Sequence, residues 1–185
     1  MKILKWMAIV VASLIVLPLL TLLILSHRAG AGTTHTSIEL AASPERVWVW
    51  LDEGPRLKQW VSWLVEVRDP DAPNHHAGSP VTWVMKDENN GGMMMTLDAR
   101  IAEYAPPSRL TIAINSPVYQ FDGAMSYRLT PLGNGRTRLD TDGLFHYNQW
   151  FAALMEPLVT PSAKKKMVAD QARLKGLVET SAEVR

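Results

Sequence analysis

The chain contains no cysteine. That excludes disulfides, thiolate nucleophiles and cysteine-ligated metal sites. It also lacks a glycine-rich phosphate loop, a serine-nucleophile elbow and a His-Glu-x-x-His pair. No internal repeat or low-complexity stretch is present. Charge of neither sign dominates, since 19 basic residues stand against 18 acidic ones. Residues 1–32 hold Lys2, Lys5 and Arg28 and no acid, so the remainder is slightly acidic. Such a surface offers no electrostatic footprint for nucleic acid, and no nucleic-acid partner is expected. Hydrophobic residues at 47% and charged residues at 20% are ordinary for a globular protein. A length of 185 residues accommodates one domain with a real core plus an appendage.

The appendage comes first. Trp6 to Leu25 is a run of 20 residues interrupted only by Ser13, Pro18 and Thr21. As a helix it would span about 30 Å, the hydrocarbon thickness of a bilayer. Residues 6–25 are therefore expected to form one transmembrane helix, with residues 1–32 acting as membrane anchor and short tether. Lys2, Lys5 and the amino terminus precede the run and Arg28 alone closely follows it. By the positive-inside rule the N-terminus is cytoplasmic and the domain, residues 33–185, lies on the periplasmic or extracellular side. The alternative is a signal peptide cleaved near Ala31, in the small-residue stretch Ala29-Gly30-Ala31.

Past the tether, His35–Ala42 reads as a first strand. Ser43 follows as a helix N-cap, with Pro44 at the first helical position and Glu45 in the first turn. Gly54-Pro55 ends that helix, and residues 56–60 make a second short one carrying Trp60. Asn89-Asn90-Gly91-Gly92 and Gly133-Asn134-Gly135 are hairpin signals, because such residues accept the positive φ of tight turns. Six strands are expected near 62–68, 80–87, 93–104, 109–115, 119–131 and 136–146. Their alternation places Val81, Trp83, Met85, Met95, Leu97, Ile101, Leu110, Ile112 and Ile114 on one apolar face. Met125, Tyr127, Leu129, Leu139, Thr141 and Phe145 continue that face. Asp98, Arg100, Arg128, Arg138, Asp140 and Asp142 lie opposite, as a solvated face.

Trp150, Phe151, Leu154, Met155 and Leu158 then recur at helical spacing and are expected to cover the sheet. Thr160-Pro161 restarts the helix, which runs to about Thr180 with Met167, Leu174, Leu177 and Val178 as its apolar stripe. The class is α+β: a curved antiparallel sheet around a long C-terminal helix, preceded by one membrane helix.

That order resembles the helix-grip fold of the START-like superfamily, in its polyketide cyclase/dehydrase and lipid-transport branch. The resemblance covers about residues 34–182. It is carried by Ser43-Pro44-Glu45-x-Val47-Trp48, Trp60, Glu103 to Pro107, Thr137 and the closing Leu174-Lys175-Gly176-Leu177-Val178-Glu179. It implies a cavity between sheet and helix for an apolar small molecule or lipid. It implies no universal catalytic residue and no cofactor.

Within such a cavity the expected ligand-lining residues are Trp83, Met85, Met95, Ile114, Phe121, Met125, Tyr127, Thr141 and Phe145. Trp150, Phe151, Met155 and Leu158 face them from the helix. The inward sheet face offers no carboxylate and no histidine, so His146 and Tyr127 are the weak acid–base candidates. His75-His76 lies in a Pro- and Asp-containing loop with no third ligand at metal-binding spacing, and reads as exposed surface without a metal. Lys164-Lys165-Lys166 reads as a solvated helix start or a contact for anionic headgroups. Three functions compete on this reading. One is a membrane-anchored binding module, the second a cyclase or dehydratase, and the third an envelope accessory protein with a filled core and a protein partner.

Overall fold

The computed structural model describes residues 2–28, 30–87, 91–116, 118 and 120–181. The Asn89-Asn90 part of the first hairpin signal and Ala29 of the cleavage stretch lie outside the described residues. The chain runs α1 (Lys2–Ser26), β1 (Thr33–Leu40), α2 (Pro44–Asp52), α3 (Gly54–Trp60), β2 (Leu64–Arg68), β3 (Pro80–Asp87), β4 (Met93–Ala105), β5 (Arg109–Ser116), β6 (Phe121–Gly133), β7 (Arg136–Tyr147) and α4 (Trp150–Thr180).

The strands form one seven-stranded sheet in the order β1-β7-β6-β5-β4-β3-β2, antiparallel throughout. Among the described strands only the β1-to-β7 pairing joins strands far apart in sequence, and α2 and α3 occupy the connection between the two sheet edges. The apolar face predicted from the period-two alternation is the concave one. Leu97, Ile101, Leu110, Ile112, Ile114, Leu129 and Leu139 are buried there against Leu174 and Val178 of α4. A bulge at Ile101/Glu103 shifts the alternation, so Tyr104, rather than Glu103, packs edge-on against Trp48 of α2.

The opening motif explains itself physically. Pro44 begins α2, whose Val47, Trp48, Trp50 and Leu51 are buried. Thr137, fully buried on β7, donates its hydroxyl to the Ala42 carbonyl at 2.7 Å and fixes the β1–α2 corner. Trp60 is buried at the end of α3, and its indole N–H donates to the Trp50 carbonyl at 2.9 Å. Gly54-Pro55 begins α3 instead of simply ending α2.

Two expectations change in α4. It does not restart at Thr160-Pro161 but runs unbroken from Trp150 to Thr180, with Pro157 and Pro161 inside it. Each proline removes one backbone donor. Glu156, buried immediately before Pro157, is held from outside the helix by Arg28 and Gly32 and from within it by Thr160, which anchors this stretch. Lys164–Lys166 therefore sit mid-helix. Asp140 also departs from the solvated-face reading: it is buried on the outer side, 3.0 Å from Arg138.

α1 is long and apolar enough to cross a membrane, by length and composition. From Ile3 onward its side chains are exposed except at Leu22 and Ser26, where its last turns pack on α4.

Candidate functional site

The sheet, α3 and α4 line a partly open cavity of about 410 Å³. Nine sheet residues expected to line it do so: Trp83, Met85, Met95, Ile114, Phe121, Met125, Tyr127, Thr141 and Phe145. Each strand contributes alternate positions, and the antiparallel register brings them level. Tyr127 pairs with Thr141 across β6–β7, and Met85 with Met95 across β3–β4. Trp60 and Trp63 also line it, and Trp60 meets Tyr127 edge-on at 6.3 Å. Gly143, opposite Met125, leaves room for the Met125 side chain and for the Phe145 ring.

The helix side differs from expectation. Phe151 and Met155 do not line the cavity. Trp150, Phe151 and Leu158 are 79%, 56% and 56% exposed, so that stripe points away from the sheet. The residues that do face in are Ala152, Val159, Ser162, Ala163, Lys166, Met167, Asp170 and Gln171. Glu156, on the opposite side of the helix, is the buried residue instead, bonded by Arg28 and the Gly32 N–H.

Asp170 and Gln171 are the polar residues missing from the sequence reading, which found no inward carboxylate. Both are buried. Gln171 donates to the Thr141 hydroxyl at 2.9 Å, and Asp170 accepts from the Ser62 backbone N–H at 3.2 Å. Burial pushes the Asp170 carboxyl above its usual range, against the smaller opposing pull of Ser62, Arg173 and Lys166. Tyr127 is buried beside it, and desolvation together with the Asp170 charge drives its phenol far up. The signal for this pair was present: Met167, Asp170, Gln171, Leu174 and Val178 recur at three- and four-residue spacing, one face of a helix.

His146 does not reach the cavity. Its side chain is 61% exposed on the outer face, 3.7 Å from Asp122. Alternation explains this, since His146 follows the inward Phe145.

His75 corrects the exposed-loop reading in the other direction, while His76 stays largely exposed. The His75 side chain is only 4% exposed. Its Nδ1 lies 2.8 Å from Asp52 at the end of α2, and its Nε2 bonds Asp69 in the loop after β2. The Tyr104 hydroxyl donates to the other Asp52 oxygen at 3.1 Å. Burial disfavours a charged His75, but its bonds to Asp52 and Asp69 outweigh that and raise its pKa. The adjoining crevice is about 20 Å³, room for roughly one water and no organic ligand. This cluster ties the loop to α2 and is separate from the cavity. Among the described residues no group of three or more metal-ligating side chains converges.

Residues 31–179 match the family described as "Polyketide cyclase / dehydrase and lipid transport". No curated protein matches the chain. Solved structures match in fold. A START superfamily protein from Mycobacterium smegmatis superposes with a TM-score of 0.65 at 16% identity, covering 80% of this chain and 97% of that one. Protein NE0264 from Nitrosomonas europaea gives 0.65 at 17% identity, covering 84% and 99%. A conserved protein from Geobacillus kaustophilus gives 0.66 at 14% identity, covering 80% and 96%.

Proposed function

The chain belongs to the polyketide cyclase/dehydrase and lipid-transport family, and from that premise we propose that it is a membrane-anchored module that binds an apolar small molecule or lipid. The cavity carries the reading. Protein interiors are close-packed, and voids larger than a water molecule are few. A space of about 410 Å³ is too large for a packing defect and falls in the range of small-molecule sites. Its walls are mainly aromatic, aliphatic and methionine side chains, with Lys86, Lys166, Asp170, Gln171, Thr141 and the Tyr127 hydroxyl among the polar groups. Such a lining selects an apolar body with a hydrogen-bonding end. It also argues against the filled core of an accessory protein. α1 supplies the anchor, and Lys2 and Lys5 at its start favour a cytoplasmic N-terminus with the domain on the far side.

One observation favours a second reading. A buried carboxyl with a raised pKa inside a cavity is suited to acid–base work, so a cyclase or dehydratase would use Asp170 with Tyr127. Native mass spectrometry of the full chain in mild detergent tests both readings. Binding predicts a discrete adduct that Met125→Trp removes while the domain keeps its fold. Dehydration predicts that Asp170→Asn holds a species heavier by one water than the wild-type adduct. An adduct that Met125→Trp leaves untouched would refute this cavity as the site.

A further inference from the structure

In the first three turns of α4 the most exposed side chains are apolar and the most buried one is charged. At 3.6 residues per turn, Trp150, Phe151, Leu154, Met155 and Leu158 form one apolar stripe. Trp150, Phe151 and Leu158 on that stripe are exposed and Leu154 and Met155 half-buried, while the charged Glu156 on the other side is 3% exposed. A helix facing only water would be arranged the other way round.

The surroundings indicate what covers the stripe. Arg28, two residues beyond the end of α1, holds Glu156 in a bidentate pair at 2.7 and 3.2 Å. Gly32 donates its backbone N–H to the same carboxylate at 2.9 Å. The last turns of α1 pack on α4, leaving Leu22 half-buried. Leu22 lies four residues before the end of α1, about 6 Å deeper along the helix axis. If α1 crosses a bilayer, the part of α4 against it is level with the edge of that bilayer. Tryptophan is enriched at that depth. Val159 is both exposed and part of the cavity wall, so the cavity opens beside the stripe. Lys86 and Lys166 also line the cavity, and Lys164 and Lys165 are exposed on the same turn of α4.

We infer that the N-terminal part of α4 is an interfacial helix. Its Trp150–Leu158 stripe is immersed in the leaflet where α1 ends, and the Arg28–Glu156 clamp sets its depth. The cavity mouth then opens onto that leaflet, with the lysines at the level of anionic headgroups. This rests on the proposal that α1 is a membrane anchor, and it adds where the domain sits and from which phase the cavity fills.

The absence of cysteine makes the test clean. Single-cysteine variants of the full chain, Leu14→Cys, Leu158→Cys and Arg128→Cys, are spin-labelled in vesicles of phosphatidylcholine and phosphatidylglycerol. Each label is probed with lipid-soluble oxygen and with a water-soluble nickel complex. The Leu14 and Leu158 labels should favour oxygen, and the Arg128 label, on the outer sheet face, the nickel complex. Adding Glu156→Gln should move the Leu158 label toward water and leave the Leu14 label unchanged. A Leu14 label in lipid with a Leu158 label in water would overturn the inference while leaving the anchor standing, and would assign the stripe to a protein partner or to solvent. A Leu14 label in water would overturn the anchor and the inference together.

Discussion

Replacing His75 by alanine should cost far more than removing a surface ion pair. Both imidazole nitrogens face carboxylates, Asp52 on one side and Asp69 on the other. A neutral ring carries one N–H, so only the doubly protonated ring donates to both. Tyr104, its pKa pushed up to about 12 by burial and by Asp52, stays protonated and keeps its own bond to Asp52. Asp69 has no such second donor: its Oδ1 is buried with no hydrogen-bond partner. Alanine at 75 therefore strands one carboxylate and weakens the environment of another. Removing one partner of a buried ion pair costs about 3–5 kcal/mol. The side chains of Asp52 and Asp69 remain 18% and 11% exposed, which places the expected cost near the lower end of that range. Total stabilities are about 5–15 kcal/mol, so the loss is large. The pH dependence has a definite sign. His75 has a higher pKa folded than its unfolded value of about 6.5, so its contribution is complete below that pH. It is lost as pH rises through the folded pKa. Urea unfolding of the full chain in mild detergent, followed by tryptophan fluorescence at about pH 6 and about pH 9, measures both effects. Wild type should weaken on going to the higher pH, and His75→Ala should be weak at both. A loss under about 1 kcal/mol, the worth of an exposed pair, would refute the argument.

Other substitutions test the cavity and its frame. Asp170→Asn should be at least as stable as wild type at neutral pH. The raised Asp170 pKa means that the fold favours the protonated acid, so wild type should lose stability as pH climbs from about 3.9 through the folded value. The asparagine variant should lack that decline in the same urea titration. Leu174→Ala, at a fully buried position on the inner face of α4, should cost about 2–5 kcal/mol in denaturant unfolding. Gly32→Ala should destabilise by more than about 1 kcal/mol, because Gly32 has a φ of +73° and an added Cβ would collide with the Phe145 carbonyl oxygen. Phe145 lines the cavity, so that variant should also show less bound ligand by native mass spectrometry.

The sheet was legible because a strand buried on one face writes its burial into alternate residues. β3, β5 and β7 begin and end within a residue of where their alternation places them. The nine sheet residues of the cavity follow from the same rule. His75 was not legible, since burial in a loop has no period and depends on Asp52, 23 residues earlier in the chain, arriving beside it. Asp170 and Gln171 were legible in position but not in role. They fall within the stripe of Met167 and Leu174, yet polar residues on a helix are ordinarily assigned to the wet side.

α4 shows where that assignment breaks down. The rule that a helix buries its apolar stripe assumes a single solvent. Here the C-terminal part obeys it in part, with Leu174 and Val178 against the sheet. The same face carries Asp170 and Gln171 where the cavity begins. The N-terminal part reverses it, exposing Trp150, Phe151 and Leu158 and burying Glu156. A hydrophobicity pattern records which residues avoid water but not which apolar phase receives them. The protein core, a bound ligand and a bilayer all satisfy the same pattern. What the pattern leaves out in this chain is a contact distant in sequence, Arg28 with Glu156, made on the side of the helix opposite that apolar stripe.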